Sequence, residues 1–180
     1  MRRLSVYLAV AATVALAGCH SSKTGTPTST ATTSTPAATV SPCATAQLAA
    51  SLGQENGTAG TRYYPVNLRN TSNTSNTQCT IQGYAGVSFV AGADNHQVGQ
   101  AASQDPGSTP TVTLSPGQTA SATLGIVEAG NFPPDCNMTP VSGLRVTPPG
   151  QTDSLVIAHA DTACANPAYA TLHVGPLASA

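Results

Sequence analysis

Residues 115–126 read "SPGQTASATLGI", and their pattern decides the fold. Ala120, Ala122, Leu124 and Ile126 alternate with Ser121, Thr123 and Gly125. A period of two marks a strand with one face buried and the other wet. Just before it, Ser115-Pro116-Gly117-Gln118 carries turn chemistry and follows a second short run, Val112 and Leu114. The spacing predicts a hairpin over the two runs.

The same period recurs on both sides. Tyr64, Val66 and Leu68 alternate with Pro65, Asn67 and Arg69; Leu144 and Val146 flank Arg145; Leu172 and Val174 flank His173. Val87 with Phe89 and Leu155 with Ile157 add two shorter runs. Gly92 to Asn95, Asp105-Pro106-Gly107 and Pro148-Pro149-Gly150 break the chain between them. Short helices are expected only over Ala44–Leu52 and around Ala129–Phe132. The "NTSNTSNT" repeat, Asn70 to Thr77, is wholly polar and reads as a loop. These features predict an all-β domain over residues 43–180, an antiparallel immunoglobulin-like β-sandwich of seven or eight strands. A small barrel is the alternative architecture. Roughly 135 residues suffice to bury a core.

The first 18 residues have a different character. Arg2 and Arg3 precede an uncharged apolar run, Leu4 to Leu16, of secretory-signal length and too short to span a bilayer. Leu16-Ala17-Gly18-Cys19 resembles the lipobox of bacterial lipoproteins. That resemblance implies a signal peptide over residues 1–18 and acyl chains of palmitate type on Cys19. It also implies a protein held on the outer face of the cell membrane, since two chains anchor where one binds reversibly. Residues 20–42 are almost all Ser, Thr, Pro and Ala. They lack the apolar surface to offset ordering entropy, so residues 19–42 read as a lipidated cysteine followed by a disordered stalk.

Cys19 also resolves the odd count of five cysteines. Cys43, Cys79, Cys136 and Cys164 are left to form two disulfides. No C-x-x-C spacing marks them as redox thiols or zinc ligands. The expected pairing is in chain order, Cys43 with Cys79 and Cys136 with Cys164. Sequence alone leaves an inter-sheet alternative such as Cys79 with Cys164 open.

Without residues 1–18 the chain holds four basic residues against seven acids, a formal charge of about −3. With no basic stripe and no tryptophan, nothing points to nucleic acid. Gly86-Val87-Ser88-Phe89-Val90 fails the nucleophile-elbow pattern at its last position, and the seven acids are scattered. His159 shares parity with Leu155 and Ile157, whereas His173 opposes Leu172 and Val174. The two imidazoles are therefore expected on opposite sides of the sheet, and no metal or other cofactor is expected. Tyr84 and Phe132-Pro133-Pro134 are the candidate contact residues. Their simpler reading is structural: a sheet cover and a stiffened loop before Cys136.

Several segments together resemble a known family. These are "YYPVNLRNTS", "CTIQGYAGVSFV", "LSPGQTASATLGIVEAGNFPPDC", "GLRVTPPGQTDSLVIA" and "LHVGP", in that order from about Cys43 to Pro176. They are similar to the actinobacterial domain of unknown function 4232. The resemblance departs at Ala85, where members commonly carry proline. It implies export and a β-sandwich and assigns no catalytic residue. The reading is thus a membrane-anchored, non-catalytic binding or envelope-support module, with an envelope protein or glycan as partner. The competing reading is an envelope hydrolase whose site assembles only in the fold.

Overall fold

The computed structural model describes residues 40–180. The signal segment, Cys19 and the stalk up to residue 39 lie outside the described residues. Thirteen strands follow one another: β1 (Leu48–Leu52), β2 (Asn56–Thr58), β3 (Thr61–Asn70), β4 (Cys79–Ile81), β5 (Gly86–Ala91), β6 (His96–Val98), β7 (Ser103–Gln104), β8 (Val112–Leu114), β9 (Thr119–Val127), β10 (Met138–Thr147), β11 (Leu155–Cys164), β12 (Leu172–Val174) and β13 (Ala178–Ser179). Short 3-10 turns occupy Thr45–Gln47, Ala129–Asn131 and Pro134–Cys136, with no α-helix among the described residues.

The strands form three sheets. One runs β1-β3-β9-β12-β7, with β2 beside β3 and β13 beside β9; the second runs β11-β10-β5-β6; β4 and β8 make the third. The apolar period explains the packing. Val66 and Leu68 of β3 stand in register with Ala122 and Ala120 of β9. Their buried side chains join Val87 and Phe89 of β5 and Leu144 and Val146 of β10. Ile81 and Leu114 bring the small sheet into the same cluster. The described residues are thus all-β around one shared core, with more strands than the seven or eight expected.

Three local expectations change. The turn at residues 115–118 forms, with Gln118 N–H donating to Ser115 O at 2.9 Å and Gly117 at φ +84°. It is a corner and not a hairpin: β8 pairs with β4, while β9 pairs with β3, β12 and β13. Residues 44–52 make one 3-10 turn and then β1, because antiparallel pairing with β3 from Leu48↔Asn70 to Leu52↔Val66 outweighs the helical preference of an alanine-rich segment. The short run expected at Leu155 and Ile157 is the start of a ten-residue strand, β11, that continues to Cys164.

Two disulfides close the structure, Cys43–Cys79 and Cys136–Cys164, the pairing in chain order. Paired cysteines of this kind point to an extracytoplasmic domain. Beside the first, Cys43 N–H donates to Thr80 O and Thr80 N–H to Ser41 O, both at 2.9 Å. Ser41 to Cys43 therefore run alongside β4 through a parallel bridge at Pro42. Asn70 ends β3 fully buried. Its Nδ2 donates to Thr77 O at 3.0 Å and Leu114 O at 2.9 Å, and its Oδ1 accepts from Ser72 N–H at 3.0 Å. This one carboxamide closes the loop formed by the polar repeat.

Candidate functional site

A network of partly buried charged side chains gathers around Arg62. Arg62 lies on β3 two residues before Tyr64, so it faces inward with the apolar row. Asp161 lies on β11, where residues 155, 157, 159 and 161 are half-buried and the residues between them exposed. The pairing Val141↔Asp161 and Gly143↔Ala158 leaves His159 and Ala160 opposite Ser142 alone, a bulge in β11. Arg62 Nη2 donates to both oxygens of Asp161, at 2.8 and 2.7 Å. Its Nε donates to Glu128, its Nη1 donates to the Tyr64 hydroxyl at 3.3 Å, and that hydroxyl donates to Glu55. The seven acids are scattered along the sequence, and folding collects three of them here.

Burial by itself pulls the Arg62 guanidinium down. The hydrogen bond and charge of Asp161, helped by Tyr64 and Glu128, outweigh it and hold Arg62 above its ordinary range. Burial first, and then the Glu55 hydrogen bond, push the Tyr64 phenol up. Each nitrogen of the guanidinium has an acceptor, so the network is a clamp between the two large sheets. It also blunts an edge. A bulge and inward-pointing charges are recognised ways to keep a long edge strand such as β11 from pairing with another chain.

The histidines lie on strands of different sheets, His159 on β11 and His173 on β12, and they meet the two faces of β3. His159 packs edge-on against Tyr64, ring centroids 5.2 Å apart, and His173 against Tyr63 at 5.7 Å. Tyr63 and Tyr64 are consecutive on β3 and point to opposite sides. His159 Nε2 is buried 3.3 Å from Asp161 Oδ2, without the alignment of a hydrogen bond. His173 Nδ1 sits 2.7 Å from Asp105 Oδ2, a contact that orients the ring. Its Nε2 rests on the backbone of β9, where a Cβ on Gly125 would lie 1.9 Å from it. Nε2 therefore faces the sheet and not solvent. Ser103, paired in register with His173, hydrogen-bonds Leu172 O at 3.4 Å and not the imidazole. His96 meets Asp94 at 2.9 Å in an exposed turn. Among the described residues no histidine–carboxylate pair carries a serine or threonine hydroxyl, and no three metal-ligating side chains converge.

The seat of His173 gives a direct test. Gly125→Ala is expected to expel the imidazole from between Asp105 and Tyr63 and to cost about 1–3 kcal/mol in urea denaturation. Adding His173→Ala should recover part of that loss, because the two changes share one contact. A Gly125→Ala protein as stable as the parent would show that the ring is not seated there.

The candidate contact residues separate. The Tyr84 hydroxyl donates to Asp105 O at 2.7 Å, which ties the 105–107 segment to the sheet and uses the polar end of that side chain. Phe132 packs on Tyr169, centroids 5.4 Å apart, over the buried Cys136 and Cys164. The Tyr169 hydroxyl donates to both oxygens of Asp135 at 2.8 Å, and that bond raises its phenol. Pro133 and Pro134 are exposed on the same loop. Two hollows lie elsewhere. One of about 290 Å³ lies between Val112–Leu114 and Ser179, and one of about 240 Å³ between Pro42, Thr80 and Pro149. Neither is lined by a histidine or an acid. No helix among the described residues is long and apolar enough to cross a membrane.

No curated protein and no solved structure matches the chain. A family model described as a domain of unknown function, DUF4232, matches residues 43–178.

Proposed function

We infer, from the premise that this chain belongs to the DUF4232 family, that it is a lipid-anchored extracytoplasmic protein whose domain binds or supports other envelope components without catalysis. One observation carries the reading: a lipobox-like Leu16–Cys19 stands ahead of a domain closed by two disulfides. An export signal and oxidised cysteines are two independent marks of the same compartment. The polar groups support a non-catalytic role. The Arg62 network uses its donors internally, and the imidazoles of His159 and His173 turn their Nε2 atoms toward the protein.

The strand order supports an immunoglobulin-like sandwich. β1-β3-β9 correspond to strands A-B-E of that fold and β11-β10-β5-β6 to G-F-C-C′. The departures are β12, which takes the place of strand D beside E, its parallel neighbour β7, and the separate β4–β8 pair. The surface we assign to a protein or glycan partner is the loop of Phe132, Pro133 and Pro134 with Tyr169. There a fixed aromatic pair adjoins exposed prolines.

Anchoring is tested in a bacterium that processes lipoproteins. The parent protein should incorporate acyl label and partition into detergent. Cys19→Ser should take up no label and move to the aqueous phase. Equal partitioning of the two would overturn the anchor.

A further inference from the structure

Granting that the domain hangs from its N-terminal side, tension reaches it at Ser41 to Cys43. What lies there is unusual in its order. Cys43 is bonded to Cys79, the first residue of β4, and the same short segment is hydrogen-bonded to Thr80. The next strand, β1, begins five residues later at Leu48 and pairs with β3 only, at the end of its sheet. Its ladder starts at Leu48↔Asn70. A pull on that end would open the pairs one after another, the weakest way to load a strand. The covalent path avoids β1.

We propose that Cys43–Cys79 is a load-bearing clasp. It receives tension from the N-terminal tether and passes it to β4, so that β1, β2 and β3 are held out of the load path. β4 is suited to this. Cys79 and Ile81 are buried in the shared core, and β4 is flanked by the Ser41–Cys43 segment on one side and β8 on the other. The proposal rests on the anchored reading for its purpose. Its mechanics can be measured without a membrane.

The test is single-molecule pulling of the unlipidated chain from Cys19 to the C-terminus. Cys19 is the one thiol outside the two disulfides and takes the first handle. In the parent, the 36-residue span between Cys43 and Cys79 should stay closed during unfolding. The Cys43→Ala/Cys79→Ala protein should release about 130 Å more chain, at ~3.6 Å per residue, with the extra length appearing at lower force. Extra length released only at the parent's unfolding force would overturn the clasp. A second protein keeps both disulfides and moves the handle into β1, with Cys19→Ser and Ser51→Cys. It should yield at lower force than the parent pulled from Cys19, and equal forces would again overturn the proposal. Neither measurement depends on lipidation, so the Cys19→Ser partition experiment fails or succeeds separately.

Discussion

Asp161→Ala is expected to cost about 3–5 kcal/mol of stability, near the range for removing one partner of a buried ion pair. The Asp161 side chain is only 9% exposed and Arg62 22%. Removing the carboxylate takes away two hydrogen bonds to Arg62 and the acceptor for Thr162 N–H at 2.8 Å. The guanidinium cannot escape by losing its proton, because an arginine side chain stays charged in proteins whatever its neighbours. Glu128, the remaining charged partner, still neutralises the guanidinium in part, though at 45% exposure less fully than Asp161 does. The loss should therefore fall toward the lower end of that range. Replacing both partners, Arg62→Met with Asp161→Leu, should recover most of it, because no buried charge is then left alone. Urea denaturation of the three proteins measures this. A loss below about 1 kcal/mol for Asp161→Ala would show that water already screens the pair.

Removing the second disulfide is the other large effect. Cys136→Ala/Cys164→Ala should destabilise the domain by roughly 3–4 kcal/mol on the loop-entropy model, for a bridge spanning 28 residues. Both cysteines are fully buried, under Phe132 and Tyr169. Ala165 N–H donates to Asn137 O and Asn166 N–H to Cys136 O, both at 3.1 Å. The bridge thus joins segments that backbone bonds already align. A reductant should reach it slowly in the native protein and quickly in urea. Non-reducing peptide mapping should recover one peptide pair holding Cys43 and Cys79 and another holding Cys136 and Cys164. An unchanged denaturation midpoint after full reduction would remove the stabilising role.

Strands were legible wherever apolar residues hold the inward positions. β3, β5, β9 and β12 each repeat such residues at every second place, and the structure builds them there. The signal failed where inward positions carry something else. In β11 the strand continues past Ala158 as half-buried His159 and Asp161, so the apolar alternation stops while the backbone does not. In β1 the alanines read as helix formers, and only Leu48 is buried enough to mark the inner row. The corner at residues 115–118 has hairpin chemistry, because a turn sequence specifies the reversal and not the sheet that each arm joins. The Arg62 network has no local signature at all. Arg62 and Asp161 are 99 residues apart, and only the packing of interior strand β3 against edge strand β11 of the other sheet pairs them. The histidine parity was readable because it depends on strand geometry alone.

The buried carboxamide of Asn70 has a further consequence for how this chain can grow. It grips the backbone at Ser72, Thr77 and Leu114, and its own N–H and C=O bond Gln118 and Gly117. The crossing from β3 toward β4 is tied to the rest of the domain near its two ends, with a local Thr74–Thr77 turn between. The residues strung between contribute little to the core. Lengthening a flexible loop costs only about 0.6 kcal/mol per doubling. Duplication of an Asn-Thr-Ser unit within this tract is therefore thermodynamically cheap, and a tandem copy of that kind is what residues 70–77 already contain. The domain offers there a port for guest sequence, an epitope or a variable peptide, on a frame that scarcely registers what it carries.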